Sequence, residues 1–276
     1  NGWNRMKRCA MNNRARNIYL VPYGIWMVLF VVVPIILVGY YSLFDIDGAL
    51  STVNYMRFFT PVYLKMTFAS FWYALLITAI SLLIAYPTAY WLSKTKHKQL
   101  WLLLIIMPSW MNLLLKTYAF IGMLGTYGPV NSFLNAIGVG TKQILFTDFS
   151  FIFVAVYIFI PFMILPIFGA LEELSPSLVA AAYDLGASAW TTFRRVIFPL
   201  TISGVQAGCQ AVFIPTLSLF MITRLIAGNR VITLGTAIEQ HFLVTQDWGM
   251  GSTLAVFLII TMGLTMWATS GRKRVK

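Results

Sequence analysis

This 276-residue sequence has only eight carboxylates and two histidines, and their positions limit what they can do. Asp45, Asp47, Asp148, Glu239 and Asp247 lie at or beyond the ends of apolar stretches, Glu172 and Glu173 follow another, and Asp184 sits in a more polar segment. No Asp, Glu or His lies well inside an apolar run, so paired-carboxylate or Ser/His catalysis at membrane depth has no residues to carry it. His97 and His241 read as isolated loop residues. Cys9 falls in a basic tail and Cys209 in an apolar run, which supports neither a disulfide, a redox motif nor a metal site. The absence of GxxxxGK[ST] means that the chain has no phosphate-cradling loop of its own. Three larger polar side chains stand inside apolar stretches and need an explanation. Lys116 would cost about 2.5–3.5 kcal/mol at mid-bilayer, so it either snorkels at the outer end of its span or faces a wet cavity. Gln206 and Gln210 are four residues apart and share a helical face, which should meet protein or water; hydrogen bonding between helices and contact with a solute both fit.

The elements that position these residues follow from composition. The sequence is 59% hydrophobic and 10% charged, with a mean hydropathy of +0.78, values of a polytopic membrane protein. Six apolar runs predict six transmembrane helices in an all-α integral membrane fold, near residues 18–44, 66–93, 100–124, 148–170, 200–223 and 252–269. Residues 1–17 form a basic tail set apart from the fold, and 18–276 form one transmembrane domain. Lys94–Lys98 allows only a tight turn, 125–146 an external loop with room for a short helix, and 224–249 a longer external segment. Pro87 marks a kink near the end of the second span. Gly204 and Gly208 in the fifth span would let another helix approach closely.

A net charge of +12 could point to nucleic acid, but the distribution of the basic residues argues otherwise. Arg5, Lys7, Arg8, Arg14, Arg16, Lys94, Lys96, Lys98, Arg194, Arg195, Arg272, Lys273, Arg274 and Lys276 fall on one side of the predicted spans. Only Arg57, Lys65, Lys116, Lys142, Arg224 and Arg230 fall on the other. By the positive-inside rule both termini are cytoplasmic, and the charge is a topology signal with no nucleic-acid partner.

Between the fourth and fifth spans lies SPSLVAAAYDLGASAWTTFRRVIFPL, residues 175–200, too polar to span and too apolar for a linker. Ser175 is a suitable N-cap, Pro176 suits the first helical position, and Gly186 supplies the left-handed residue that closes the first helix. Ser188 then caps a second helix carrying Trp190, Phe193, Arg194 and Val196, which Pro199 is expected to stop.

This spacing resembles the EAA coupling loop of type I ABC importer permeases. Ala181, Ala182, Asp184, Gly186, Ala187, Ser188, Val196, Phe198 and Pro199 stand in its register, with Ala180 where the family has Glu. The chain looks closest to the permease subunits of spermidine/putrescine importers. Tyr86–Lys94, Pro108–Asn112, Ala207–Cys209 and Asp247–Trp248 fall where those proteins carry similar residues. Related permeases for oxyanions, iron and thiamine share the layout, which keeps the solute open. An ion channel would need a filter-like repeat, and none is visible.

The resemblance implies a multi-pass protein of a prokaryotic plasma membrane, without cofactor, in contact with membrane lipid. It implies a second homologous permease as heterodimer partner, two cytoplasmic ABC ATPase subunits and an external solute-binding protein. Ala181, Ala182, Asp184, Gly186, Ala187, Ser188, Trp190, Phe193 and Pro199 would form the ATPase-coupling element. For a polyamine, Trp72, Tyr73, Trp110, Tyr118 and Trp248 offer aromatic faces worth about 0.5–2 kcal/mol each to a cation. Gln206 and Gln210 would add amides to that pathway, and Glu239 and Asp247 would attract the cation at the entrance.

Overall fold

The computed structural model describes residues 20–228 and 230–269; the basic tail, Cys9 and the Lys/Arg cluster after residue 269 lie outside the described residues. Helices dominate throughout, and a single β-bridge, Phe44 to Leu50, closes the turn after the first helix among the described residues. In chain order α1 spans Leu20–Tyr41, α2 Val53–Phe58, α3 Pro61–Lys94, α4 Lys98–Ile106 and α5 Leu113–Leu124. Then come α6 Pro129–Ala136, α7 Asp148–Glu172, α8 Pro176–Asp184 and α9 Ala189–Leu200. The last four are α10 Ile202–Leu217, α11 Met221–Ile226, α12 Leu234–Leu243 and α13 Trp248–Thr269.

Among the described residues four helices, α1, α3, α7 and α13, are each long and apolar enough to cross a membrane, and two bent pairs raise the number to 6 if each counts as one span. The bent pairs fall on the expected third and fifth spans. In the third, Lys98–Trp110 and Leu113–Ala136 meet at 91°. Pro108 tightens the chain into a 3-10 turn, Met111 is extended, and the Asn112 side chain accepts the Leu114 N–H at 2.8 Å, so a new helix starts there. In the fifth, Ala189–Leu200 and Ile202–Leu217 meet at 62°. The expected stop at Pro199 does not occur. A π-helical turn over Phe193–Ile197 carries the helix past Pro199 to Leu200, and the bend falls at Thr201, outside the helical region at φ −97°, ψ 4°. Its hydroxyl donates back to the Ile197 carbonyl at 2.9 Å. The fifth run also ends at Leu217, before Thr223, and α11 follows.

The core is the contact of α3, α7 and α10. Ile77, Phe151, Met163, Ile164 and Ile167 are fully or almost fully buried there. In lipid this burial gains little from excluding water, so close packing has to hold the helices. Glycines make it possible. A Cβ at Gly204 would stand 2.6 Å from both Ala170 Cβ and the Pro166 carbonyl oxygen, and one at Gly208 would stand 2.8 Å from Met163 Sδ. The small-residue pair thus seats α10 directly on the backbone of α7. A second cluster, with Phe58 stacked on Phe257 at 3.6 Å, joins α2 and α13 to α12. By contrast α1 buries no side chain over its central stretch and meets the rest through its last turns against α13.

Candidate functional site

The 175–200 loop is built locally. Ser175 has the extended backbone of an N-cap, but its hydroxyl meets Ser177 Oγ at 2.7 Å instead of a helix amide, which corrects the expected cap. Gly186 takes φ +77°, and the Ala187 and Gly186 N–H groups donate to the Ala182 and Tyr183 carbonyls at 3.0 and 2.9 Å. This double bond pattern satisfies the orphan carbonyls of α8 and turns the chain sharply. Ser188 Oγ accepts the Thr191 N–H at 3.2 Å and starts α9. The turn leaves a notch of about 490 Å³ bordered by Ala182, Leu185, Gly186, Ala187, Ser188 and Arg195. Around it Leu185 is 89% and Trp190 69% exposed, with Ala181, Asp184 and Pro199 also exposed.

Phe193 points the other way. Half-buried, it stacks under Trp190 at 5.7 Å and meets the edges of Tyr86 and Tyr90 on α3. The Tyr86 hydroxyl lies 2.8 Å from Thr201 Oγ1 in a buried pair at the bend. An aromatic column therefore runs from the exposed Trp190 to the joint of α9 and α10. Sequence distance hid it, since Tyr86 and Thr201 are 115 residues apart. At the same end of the molecule Lys98 and Glu172 form an ion pair between α4 and α7.

The pathway residues do not converge on one cavity within this chain. Trp72, Trp110, Tyr118 and Gln206 are exposed on its surface, Tyr73 packs edge-on against Phe151 at 5.4 Å, and Gln210 donates to Thr269 Oγ1 at 2.7 Å. Lys116 is only 7% exposed and has no carboxylate partner among the described residues. That placement departs from a lysine snorkelling free at an outer end.

Glu239 and Asp247 are both engaged. Glu239 forms an ion pair with Arg224 in a cleft of about 320 Å³ that includes Thr236 and Gln240. Asp247 is buried and accepts the Met250 N–H at 3.0 Å, capping α13. His241, expected to be an isolated loop residue, is in the same network. Its Nε2 lies 2.9 Å from the Tyr63 hydroxyl and its Nδ1 4.0 Å from Asp247 Oδ2. Burial holds its pKa below the ordinary 6.5, against the opposing pull of Asp247. The neutral ring can accept from Tyr63 through Nε2 and donate Nδ1–H to Thr245 Oγ1 at 3.3 Å, with Asp247 just beyond hydrogen-bond reach.

A closely packed three-helix core thus carries a capped helix–turn–helix at one end, and no group of His, Cys, Asp and Glu that could hold a metal ion occurs among the described residues. The chain is 34% identical to the spermidine/putrescine transport system permease protein PotB of Haemophilus influenzae over 267 residues, 93% of either chain. The chain belongs to the PotB family of ABC importer permeases. The Escherichia coli K12 PotB is 37% identical over 251 residues, 87% of this chain and 91% of its own. The E. coli inner membrane ABC transporter permease protein YdcU is 29% identical over 82% of this chain and 79% of its own. No protein-family model matches. Among solved structures, a chain of a bacterial ABC transporter that imports the acidic polysaccharide alginate superposes with a TM-score of 0.73. That match covers 99% of this chain and 100% of the other at 15% identity, and it shows the shared fold. A chain of a bacterial alginate ABC transporter in complex with an alginate pentasaccharide-bound periplasmic protein also superposes, at TM-score 0.73 and 14% identity over 97% of this chain and 96% of the other. As a PotB-family member this chain is a membrane-embedded permease subunit, a transport component.

Proposed function

We propose that this chain forms half of the translocation pathway of a polyamine importer. It pairs with a second permease, docks two ATPase subunits that hydrolyse the ATP, and receives spermidine or putrescine from an external solute-binding protein. Identity of 34–37% to PotB permeases over about nine tenths of the chain is the observation that carries this reading. In it, residues 18–276 are one domain crossing a prokaryotic plasma membrane six times with both termini inside, and 175–200 is the coupling loop. The uneven placement of Lys and Arg supports that orientation. Trp190 and Leu185, exposed beside the notch, suit insertion into a cleft of the ATPase. The column through Phe193 and Tyr86 suits passing that contact to α3 and α10. ATP binding would then favour one of two packed states of the helices. Trp72, Trp110 and Tyr118, exposed in this chain, suit aromatic contact with a cation in a cavity completed by the second permease.

Reconstitution with its partners tests the proposal: labelled spermidine should enter vesicles only with ATP and the binding protein. Uptake of sulfate or molybdate but not spermidine would move the chain to the oxyanion branch. Orientation is tested with an impermeant thiol reagent on intact cells. Gln246→Cys should react and Ser188→Cys should not; the reverse pattern would invert the topology and remove the coupling role of the loop.

A further inference from the structure

Where the end of α1 meets the start of α13, four aromatic residues and a carboxylate line one pocket. Tyr40, Tyr41, Phe44 and Trp248 line a pocket of about 410 Å³ together with Asp45 and Gln246. Tyr40 and Phe44 lie 4.8 Å apart, and Tyr41 and Trp248 6.1 Å apart, centroid to centroid. The walls are held from behind. A Cβ at Gly249 would overlap the Phe44 carbonyl oxygen, so only glycine lets α13 press this close to the 42–50 turn. Asn54 Nδ2 donates to that same carbonyl at 2.8 Å, and Thr253 Oγ1 donates to the Ser42 carbonyl at 3.2 Å. Gln246, on the pocket wall, is held at φ +54°, a conformation that costs a non-glycine residue and persists only where its surroundings enforce it.

We infer that this pocket binds a primary ammonium group. One oxygen of Asp45, Oδ1, accepts the N–H groups of Asp47 and Ala49 at 3.0 Å each. Its other oxygen has no protein donor among the described residues, and no Lys or Arg lines the pocket. An anion sharing a pocket with four aromatic side chains is suited to a cation and repels a phosphate or sulfate. The helix ends agree. The C-terminus of α1 brings partial negative charge, and the N-terminus of α13, which alone would repel a cation, is already capped by Asp247. Aromatic side chains at a lipid interface would be expected without the carboxylate; Asp45 and its unengaged oxygen set this pocket apart. Two sources share the chemistry, the end of a polyamine and the headgroup of phosphatidylethanolamine. As a polyamine station on the outer rim the pocket rests on the function proposed above; as an ammonium site it does not.

The test uses the complete transporter, without its solute-binding protein, in nanodiscs of phosphatidylglycerol alone or with phosphatidylethanolamine. Putrescine is the probe and 1,4-butanediol its neutral control. Asp45→Asn keeps the Oδ1 that organises the turn while removing the charge and turning the unengaged acceptor oxygen into an NH2 donor, so it should fold normally and weaken putrescine binding about tenfold. Trp248→Leu should weaken it several-fold, and neither change should alter the diol. Loss of putrescine binding on adding phosphatidylethanolamine, with retention of that lipid abolished by Asp45→Asn in native mass spectrometry, would assign the headgroup as occupant of the same ammonium site. Equal putrescine affinity and equal lipid retention in wild type and Asp45→Asn would overturn the inference. Should the intact system fail to import spermidine, the functional reading falls while the putrescine titration still decides the pocket.

Discussion

Replacing Gly204 by alanine adds one methyl group where α10 lies on α7, and the structure fixes what that group would meet. The new Cβ would stand 2.6 Å from Ala170 Cβ and from the Pro166 carbonyl oxygen, and 3.2 Å from Ile167 Cα. Ordinary contact begins near 3.4 Å. Two of the three obstacles are backbone atoms on a helix, so no rotamer change relieves them and the helices must separate by about 1 Å. Overpacking of this kind costs about 1–3 kcal/mol, equivalent to a fall in melting temperature of about 2–12 °C. Gly169→Ala is the control, because its Cβ meets nothing within 4 Å and gains helix propensity. Thermal unfolding of the purified complex should show Gly204→Ala destabilised and Gly169→Ala unchanged or slightly stabilised. Wild-type stability for Gly204→Ala would refute the close seating of α10 on α7 and, with it, the argument that packing holds this core.

Gly186→Val should leave the protein folded and inserted but abolish substrate-stimulated ATP hydrolysis. No atom lies near its Cβ, so the cost, about 1–2 kcal/mol, comes from φ +77° alone and falls on the turn; normal stimulation would show that the turn does not couple. Lys116→Gln should leave spermidine uptake unchanged or faster, since it removes a buried cation from this subunit; collapse of uptake with competition by an anion would favour an oxyanion solute. Burial lowers the His241 pKa below 6.5, so as pH falls from about 6.5 towards the folded value the unfolded chain binds a proton first and stability drops. That loss should be absent in His241→Gln, as read from melting temperature against pH; an unchanged profile would exclude His241 as its origin.

The helix–turn–helix at 175–200 was legible because its signals are local: a glycine that tolerates positive φ and a serine that caps the next helix act within a few residues. The small-residue pair in α10 was legible for a similar reason, as spacing on one helical face. The breaks at Met111–Asn112 and Thr201 were not, because a hydropathy average carries one polar residue along with its apolar neighbours, while a backbone responds to that single cap or back-bonding hydroxyl. Partners across long sequence separations were also hidden. His241 looked isolated because Tyr63 is 178 residues away, and Glu239 looked free because its ion pair with Arg224 forms only once α11 and α12 are folded side by side. The exposed pathway aromatics, Trp72, Trp110 and Tyr118, face outward from this chain, so no sequence pattern within it could disclose what they meet.

The joint at Thr201 makes α9 and α10 a crank. α10 has 16 residues, so its far end lies about 24 Å from the bend at ~1.5 Å per residue. Turning the crank by about 5° sweeps that end through an arc of about 2 Å, by the same rise per residue. A gap of 0.5–1 Å already forfeits a quarter to a half of a van der Waals contact. In the importer proposed above, a small tilt at the loop would therefore be felt as strained or lost contacts along the far half of α10, with no turn unfolded.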